Sequence, residues 1–161
     1  MVRNGKVQMK RLLIATAIGL SSLLSATNAK GYSSDRVPVV TFDKALLELQ
    51  KQMRDKRTPP LEYWMAVAVC ESSTDGTTAR WNDGGTWSGG LGIYTGTWIR
   101  WGGREFAKKP QYATPVRQIV VANRIAVHGY YYGYYAKKPV GFFGWGCIKN
   151  RKSLDPKKWG L

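Results

Sequence analysis

The chain has 161 residues, a formal net charge of +15, 43% hydrophobic residues, two cysteines and one histidine. That length holds about one domain, and the apolar and aromatic content excludes a wholly disordered chain. Two cysteines are too few for a zinc cage or a disulfide-dense scaffold, and the lone His128 argues against a histidine metal site or a Ser-His-Asp triad. Neither a metal nor a cofactor is expected. The charge leaves three kinds of partner open: nucleic acid, an anionic membrane surface or an anionic cell wall.

The N-terminal segment bears on compartment. Met9-Lys10-Arg11 precedes an apolar run from Leu12 to Leu24, and small residues from Ser25 to Ala29 follow. A basic start, a short apolar core and a small-residue exit describe a secretory signal peptide over residues 1–29, cleaved near Ala29, with Met9 an alternative start. Its core is about a dozen residues, short of the ~20 that span a membrane, so stable membrane insertion is not expected. The competing reading is an uncleaved amphipathic anchor. Removing 1–29 takes away Arg3, Lys6, Lys10 and Arg11 and no acid, which leaves 21 basic against 10 acidic residues, or +11. An exported chain of that charge meets wall polymers rather than nucleic acid. In an oxidising compartment Cys70 and Cys147 read by default as one disulfide, worth roughly 4 kcal/mol at most. Two buried free thiols are the alternative.

Beyond a polar lead-in, Phe42, Ala45, Leu46, Leu49 and Met53 recur at helical spacing, predicting a helix over 41–54 with Thr41 as its cap. Thr58-Pro59-Pro60 reads as an N-cap followed by proline at the first position of a second helix, with Leu61, Trp64, Met65, Ala68 and Cys70 on its buried face. Residues 72–92 are rich in turn formers and read as loops with a short hairpin. A third helix is expected from Tyr94 to Trp101, stopped by Gly102-Gly103. A fourth starts at Thr114-Pro115 and places Val116, Ile119, Val120, Asn123 and Val127 on one face. Trp98, Trp101, Leu91 and Ile93 are assigned to the core, and His128 to a structural or solvated position. The run Gly129–Tyr135 reads as aromatic and flexible, and 149–161 as a basic tail.

The chemistry concentrates at Glu71. It ends the second helix behind the apolar run from Met65 to Val69, where poor solvation is expected to raise a carboxyl pKa. A carboxyl kept protonated near neutrality suits a general acid for glycosidic cleavage. Trp81 and Trp87 in the following loop offer flat faces to sugar rings. A solvated glutamate that merely terminates a helix is the equal alternative on this local pattern. Asp75 and Asp83 lie in the same loop, but loop aspartates are turn formers more often than nucleophiles, and neither is assigned a catalytic role.

The segment Trp64–Ser72, ending in Cys-Glu-Ser, resembles the opening of the resuscitation-promoting factor catalytic core, a transglycosylase-like domain. Trp81–Trp87, Ser88-Gly89-Gly90-Leu91, Thr97-Trp98, Gly102-Gly103, Ala113–Ile119 and Gly144-Trp145-Gly146-Cys147 follow in that family's order. The resemblance covers about Leu61 to Ile148. It implies a lysozyme-like, mainly α fold (α+β being possible) with a glycan cleft. It also implies Glu71 as the catalytic acid and base, Trp87, Thr97 and Gln118 as substrate-binding residues, and the β-1,4 bond between N-acetylmuramic acid and N-acetylglucosamine as the target. Where that family has Gly-Leu-Gln-Phe this chain has Gly90-Leu91-Gly92-Ile93, so one polar cleft side chain is missing. Ser73–Gly76 replaces a tighter turn, and 128–143 is longer.

The expected organisation is a signal peptide (1–29), a lead-in with an amphipathic helix (30–57), the lysozyme-like domain (58–148) and a basic tail (149–161). The expected activity is that of a secreted, monomeric peptidoglycan-cleaving glycosidase or lytic transglycosylase at the cell wall. Its partners would be glycan strands and anionic wall polymers. The alternative is a cationic peptidoglycan-binding module without catalysis, which would have no need of an acid against an apolar helix.

Overall fold

A computed structural model describes residues 43–161; the leader, the lead-in, Thr41 and Phe42 lie outside the described residues. The first helix, α1 (Lys44–Gln52), is capped by Asp43, whose carboxylate accepts the Ala45 N–H at 2.9 Å. Its buried face is Ala45, Leu49 and Gln52, whereas Leu46 and Met53 are exposed. The predicted face is therefore rotated. Gln52 turns inward because α4 (Pro115–Asn123) supplies partners: its amide donates to the Val120 carbonyl and its oxygen accepts from Asn123 Nδ2 at 3.0 Å.

Helix α2 (Leu61–Ser72) starts after Pro60. Thr58 is not its cap. The Thr58 hydroxyl donates to the Gln52 carbonyl at 2.6 Å and lies 2.7 Å from His128 Nε2, which gives His128 the structural role expected of it. Tyr63, Trp64, Val67, Ala68 and Ser72 form the buried face, while Leu61 and Met65 face outward, contrary to the sequence expectation. The helix is apolar nearly all round, so its periodicity held little information about which face packs inward. Trp64 is fully buried, packs against Trp145 and Phe142, and donates its indole N–H to Asn123 at 2.7 Å.

The turn-rich middle holds the expected short hairpin. Strands β1 (Trp87–Ser88) and β2 (Ile93–Tyr94) pair antiparallel, with Trp87 opposite Tyr94. Helix α3 (Thr95–Arg100) follows and ends at Gly102, whose positive φ of 77° suits glycine. Trp98, Trp101, Leu91 and Ile93 are buried as expected. Helix α4 runs from Pro115 after Thr114 and continues into a π-helical turn, Arg124–His128.

Two segments differ from the sequence reading. Residues 130–137 form a second hairpin, β3 (Tyr130–Tyr132) with β4 (Tyr135–Lys137), rather than a flexible run. Gly133 opens its two-residue turn with positive φ, and Tyr134 has none, the II′ pattern that matches strand twist. The basic C-terminal stretch folds back as α5 (Gly146–Asn150) and 3-10 turns, burying Leu154, whose carbonyl accepts from Tyr63 Oη at 3.2 Å. The described residues thus make a mainly α-helical domain with two small hairpins.

Candidate active site

Glu71 lies in the last turn of α2, and the C-terminal strap fixes it there. The Cys70–Cys147 disulfide ties α2 to α5 one residue before the glutamate. The backbone N–H of Cys147 donates to Glu71 Oε1 at 2.8 Å. Two residues earlier, the buried Trp145 donates its indole N–H to the Leu91 carbonyl at 2.9 Å. The strap therefore holds both the acid and the Leu91-Gly92 turn that faces it.

Gly92 leaves one carboxylate oxygen open. It has a positive φ of 54°, and a Cβ built there would stand 3.5 Å from Glu71 Oε2. Oε1 is engaged by Cys147, whereas Oε2 makes no hydrogen bond among the described residues. Gly92, beside that oxygen, is among the residues that line a groove of about 450 Å³, which runs past Trp87, Tyr94, Thr97 and Trp101 to Lys137 and Lys138. Glu71 meets the rim of this groove at Gly92 and does not itself line it.

Trp87 and Thr97 do line it. Trp87 is 62% exposed and stacks at a tilt on Tyr94, ring centroids 5.6 Å apart. Tyr94 is an aromatic wall that sequence reasoning read only as a helix start; its position opposite Trp87 across the hairpin was the available signal. The Thr97 hydroxyl has no hydrogen-bond partner among the described residues, so it is available to a ligand.

Gln118 lies apart from that lining. It is 0% exposed, and its amide donates to the carbonyls of Trp81 at 2.8 Å and Ala113 at 3.0 Å. Its Oε1 lies against Gly89, where a Cβ would approach to 2.4 Å. Gln118 supports the loop behind the groove and is not among the residues that line it. Trp81 likewise packs half-buried against Gly90 instead of offering a free face.

The two loop aspartates behave as turn formers. Asp75 accepts from the Ser73 hydroxyl and from the Thr77 and Thr78 N–H groups, bonds that hold its carboxyl well below the usual range. Asp83 pairs with Arg80 at 2.8 Å. Arg124 was not singled out by sequence. Almost fully buried, it bonds Glu48 and Glu105 and lies 4.7 Å from the Tyr130 ring centroid. Its acids come from α1 and from the turn after α3, too distant in sequence to be read as partners.

Residues 59–131 match the family described as a transglycosylase-like domain. No curated protein and no solved structure matches the chain significantly. The matched segment carries Glu71, Trp87, Thr97 and Gln118, and it stops before Trp145 and Cys147. The match covers 73 of the 161 residues and makes this segment of a mainly α-helical domain similar to a transglycosylase-like domain.

Proposed function

We propose that this protein is a secreted lytic transglycosylase that cuts the β-1,4 bond between N-acetylmuramic acid and N-acetylglucosamine with Glu71 as the one acid and base. The observation that carries this reading is the division of labour on the Glu71 carboxylate: Oε1 is held by the Cys147 N–H, and Oε2 is left open beside Gly92 at the rim of an aromatic-walled groove.

In the first step, the Glu71 carboxylic acid gives its proton to the bridging oxygen as the C1–O4 bond breaks. The acetamido oxygen of the muramyl ring shields the cationic C1 in place of a second carboxylate, since Asp75 and Asp83 are engaged in their own turns. In the second, the Glu71 carboxylate takes the proton of the C6 hydroxyl, whose oxygen closes on C1. The products are a 1,6-anhydro end and a free 4-hydroxyl, with no water consumed. Trp87 and Tyr94 give a sugar ring its platform, and the Thr97 hydroxyl hydrogen-bonds a ring substituent. The leader over 1–29 and the disulfide agree with an extracellular site of action at the wall. The reading resembles the resuscitation-promoting factor core most closely in its Cys-Glu-Ser and Gly-Trp-Gly-Cys segments.

Mass spectrometry of purified peptidoglycan incubated with wild type and with Glu71→Gln tests this. Anhydro-muropeptides from the wild type alone are expected. Reducing-end fragments would change the product to that of a hydrolase. Absence of fragments from both proteins, with both sedimenting on the wall, would sink the enzyme and leave a binding module.

A further inference from the structure

The 130–137 hairpin lies largely beyond the matched segment, and its register decides what each strand face presents. Paired residues point to one side of a two-stranded ribbon, and side chains alternate along each strand. Tyr130 pairs with Lys137 and Tyr132 with Tyr135, so these four share a face, while Tyr131 and Ala136 take the other. The shared face covers a second groove of about 540 Å³, whose far wall is Arg100 and Arg104.

Tyr130 anchors the hairpin by stacking on Arg124 and filling the space beside Gly102, where a Cβ would meet its ring at 2.2 Å. Tyr132 and Tyr135 do not anchor anything: they are 74% and 80% exposed. Two bare aromatic rings with no packing role are costly to leave in water and mark an interaction surface. The groove's charge is one-sided as well. Arg100, Arg104 and Lys137 form no ion pair among the described residues, and its one acid, Glu105, is already held by Lys44 and Arg124.

Arg100 and Lys137 line both this groove and the one that passes Gly92, so the two adjoin at these side chains. We infer that the tyrosine hairpin and the Arg100–Arg104 wall form a second binding site, for an anionic saccharide chain, whose rings stack on Tyr132 and Tyr135 and whose anions meet the three cations. The proposal rests on the glycan-cleft reading only for the route of a chain passing from one groove to the other. Carboxylate-bearing peptidoglycan strands and wall polymers of sugar rings joined by phosphodiesters both carry this chemistry. Single-stranded nucleic acid would satisfy the rings and charges separately, but the two residues shared with the first groove favour a saccharide.

The test is equilibrium binding of the full chain in a Glu71→Gln background, which prevents cutting. The probes are soluble peptidoglycan strands stripped of attached polymers, a wall polymer of amino-sugar rings joined by phosphodiesters, neutral N-acetylglucosamine oligomers and single-stranded DNA. The double variant Tyr132→Ala/Tyr135→Ala is expected to weaken at least one anionic saccharide about tenfold, as loss of aromatic anchors does at other interfaces. The phenylalanine pair should bind as the parent does, because the rings remain. Arg104→Glu should weaken the same probe, most at low salt. The neutral oligomers should be insensitive to all three changes. Whichever anionic saccharide responds identifies the source.

Unchanged affinity for both anionic saccharides, or a loss confined to DNA, overturns the proposal. Because Tyr132 and Tyr135 are exposed, their loss should leave thermal unfolding unchanged, which separates binding from folding. Failure of the enzyme reading is seen separately: wild type that releases no fragments from walls leaves these binding results intact.

Discussion

Glu71, Gly92 and Gln118 show how much one side chain's neighbours decide. Glu71 owes its orientation to a single backbone N–H from Cys147. Gly92 matters for what it lacks: at a φ of 54°, a side chain there is strained by roughly 1–2 kcal/mol. We therefore expect Gly92→Ala to lower the melting temperature by about 5 °C and to slow release of muropeptides, because its methyl group stands against the open Glu71 oxygen. Calorimetry and a wall-release assay would check both effects. An unchanged rate would show that the proton passes on another side of the carboxylate. Gln118→Ala removes two hydrogen bonds to otherwise buried carbonyls, at an expected cost of about 2 kcal/mol by chemical denaturation.

Between elements, a polar seam joins α1, α2 and α4. Asn123 accepts from Trp64 and donates to Gln52, all three inside the core. Asn123→Leu keeps the volume but strands both partners, so a loss of about 2–4 kcal/mol in urea denaturation is expected. The same corner holds His128. Thr58 spends its proton on the Gln52 carbonyl, so His128 Nε2 must carry the hydrogen that Thr58 accepts. Burial lowers the His128 pKa below 6.5, although Asp55 pulls the other way and Arg57 adds to the lowering. The unfolded chain therefore takes up this proton first. Stability should be level above the ordinary histidine pKa and fall as pH drops from there toward the lower native value. A His128→Gln variant should flatten that part of the stability–pH curve, and an identical slope would show that other groups set it.

Across the whole domain, the C-terminal strap is the part on which the site depends most. Trp145, Cys147 and Leu154 reach back over α2 and the Leu91-Gly92 turn through an indole bond, a disulfide with a backbone bond, and a buried leucine. Opening the disulfide frees a long loop of the unfolded chain, worth up to ~4 kcal/mol. It also slackens the donor that holds Glu71. Cys70→Ser/Cys147→Ser should therefore lose wall cleavage at temperatures where circular dichroism still reports native helix. Coincident loss of both would make the bond's contribution one of stability alone.

Much of this protein could be read along the chain. The third and fourth helices, the short hairpin after Glu71, the burial of Leu91, Ile93, Trp98 and Trp101, and the Cys70–Cys147 pairing all rest on local spacing, capping or the count of cysteines. These signals are contained within a few residues or in composition. The inward face of α2 was not legible because that helix is apolar on every side. Gln52 was not legible as a core residue because its partner Val120 is contributed by α4. The burial of Gln118 and the ordering of the tyrosine run as a hairpin likewise depend on contacts between distant segments. Which carboxylate oxygen of Glu71 stays open was decided by Cys147, 76 positions away. Sequence determined most of the elements and singled out Glu71. Only tertiary packing decided the surroundings of the Glu71 carboxylate, since desolvation and hydrogen bonding at a side chain are set by whatever the fold brings beside it.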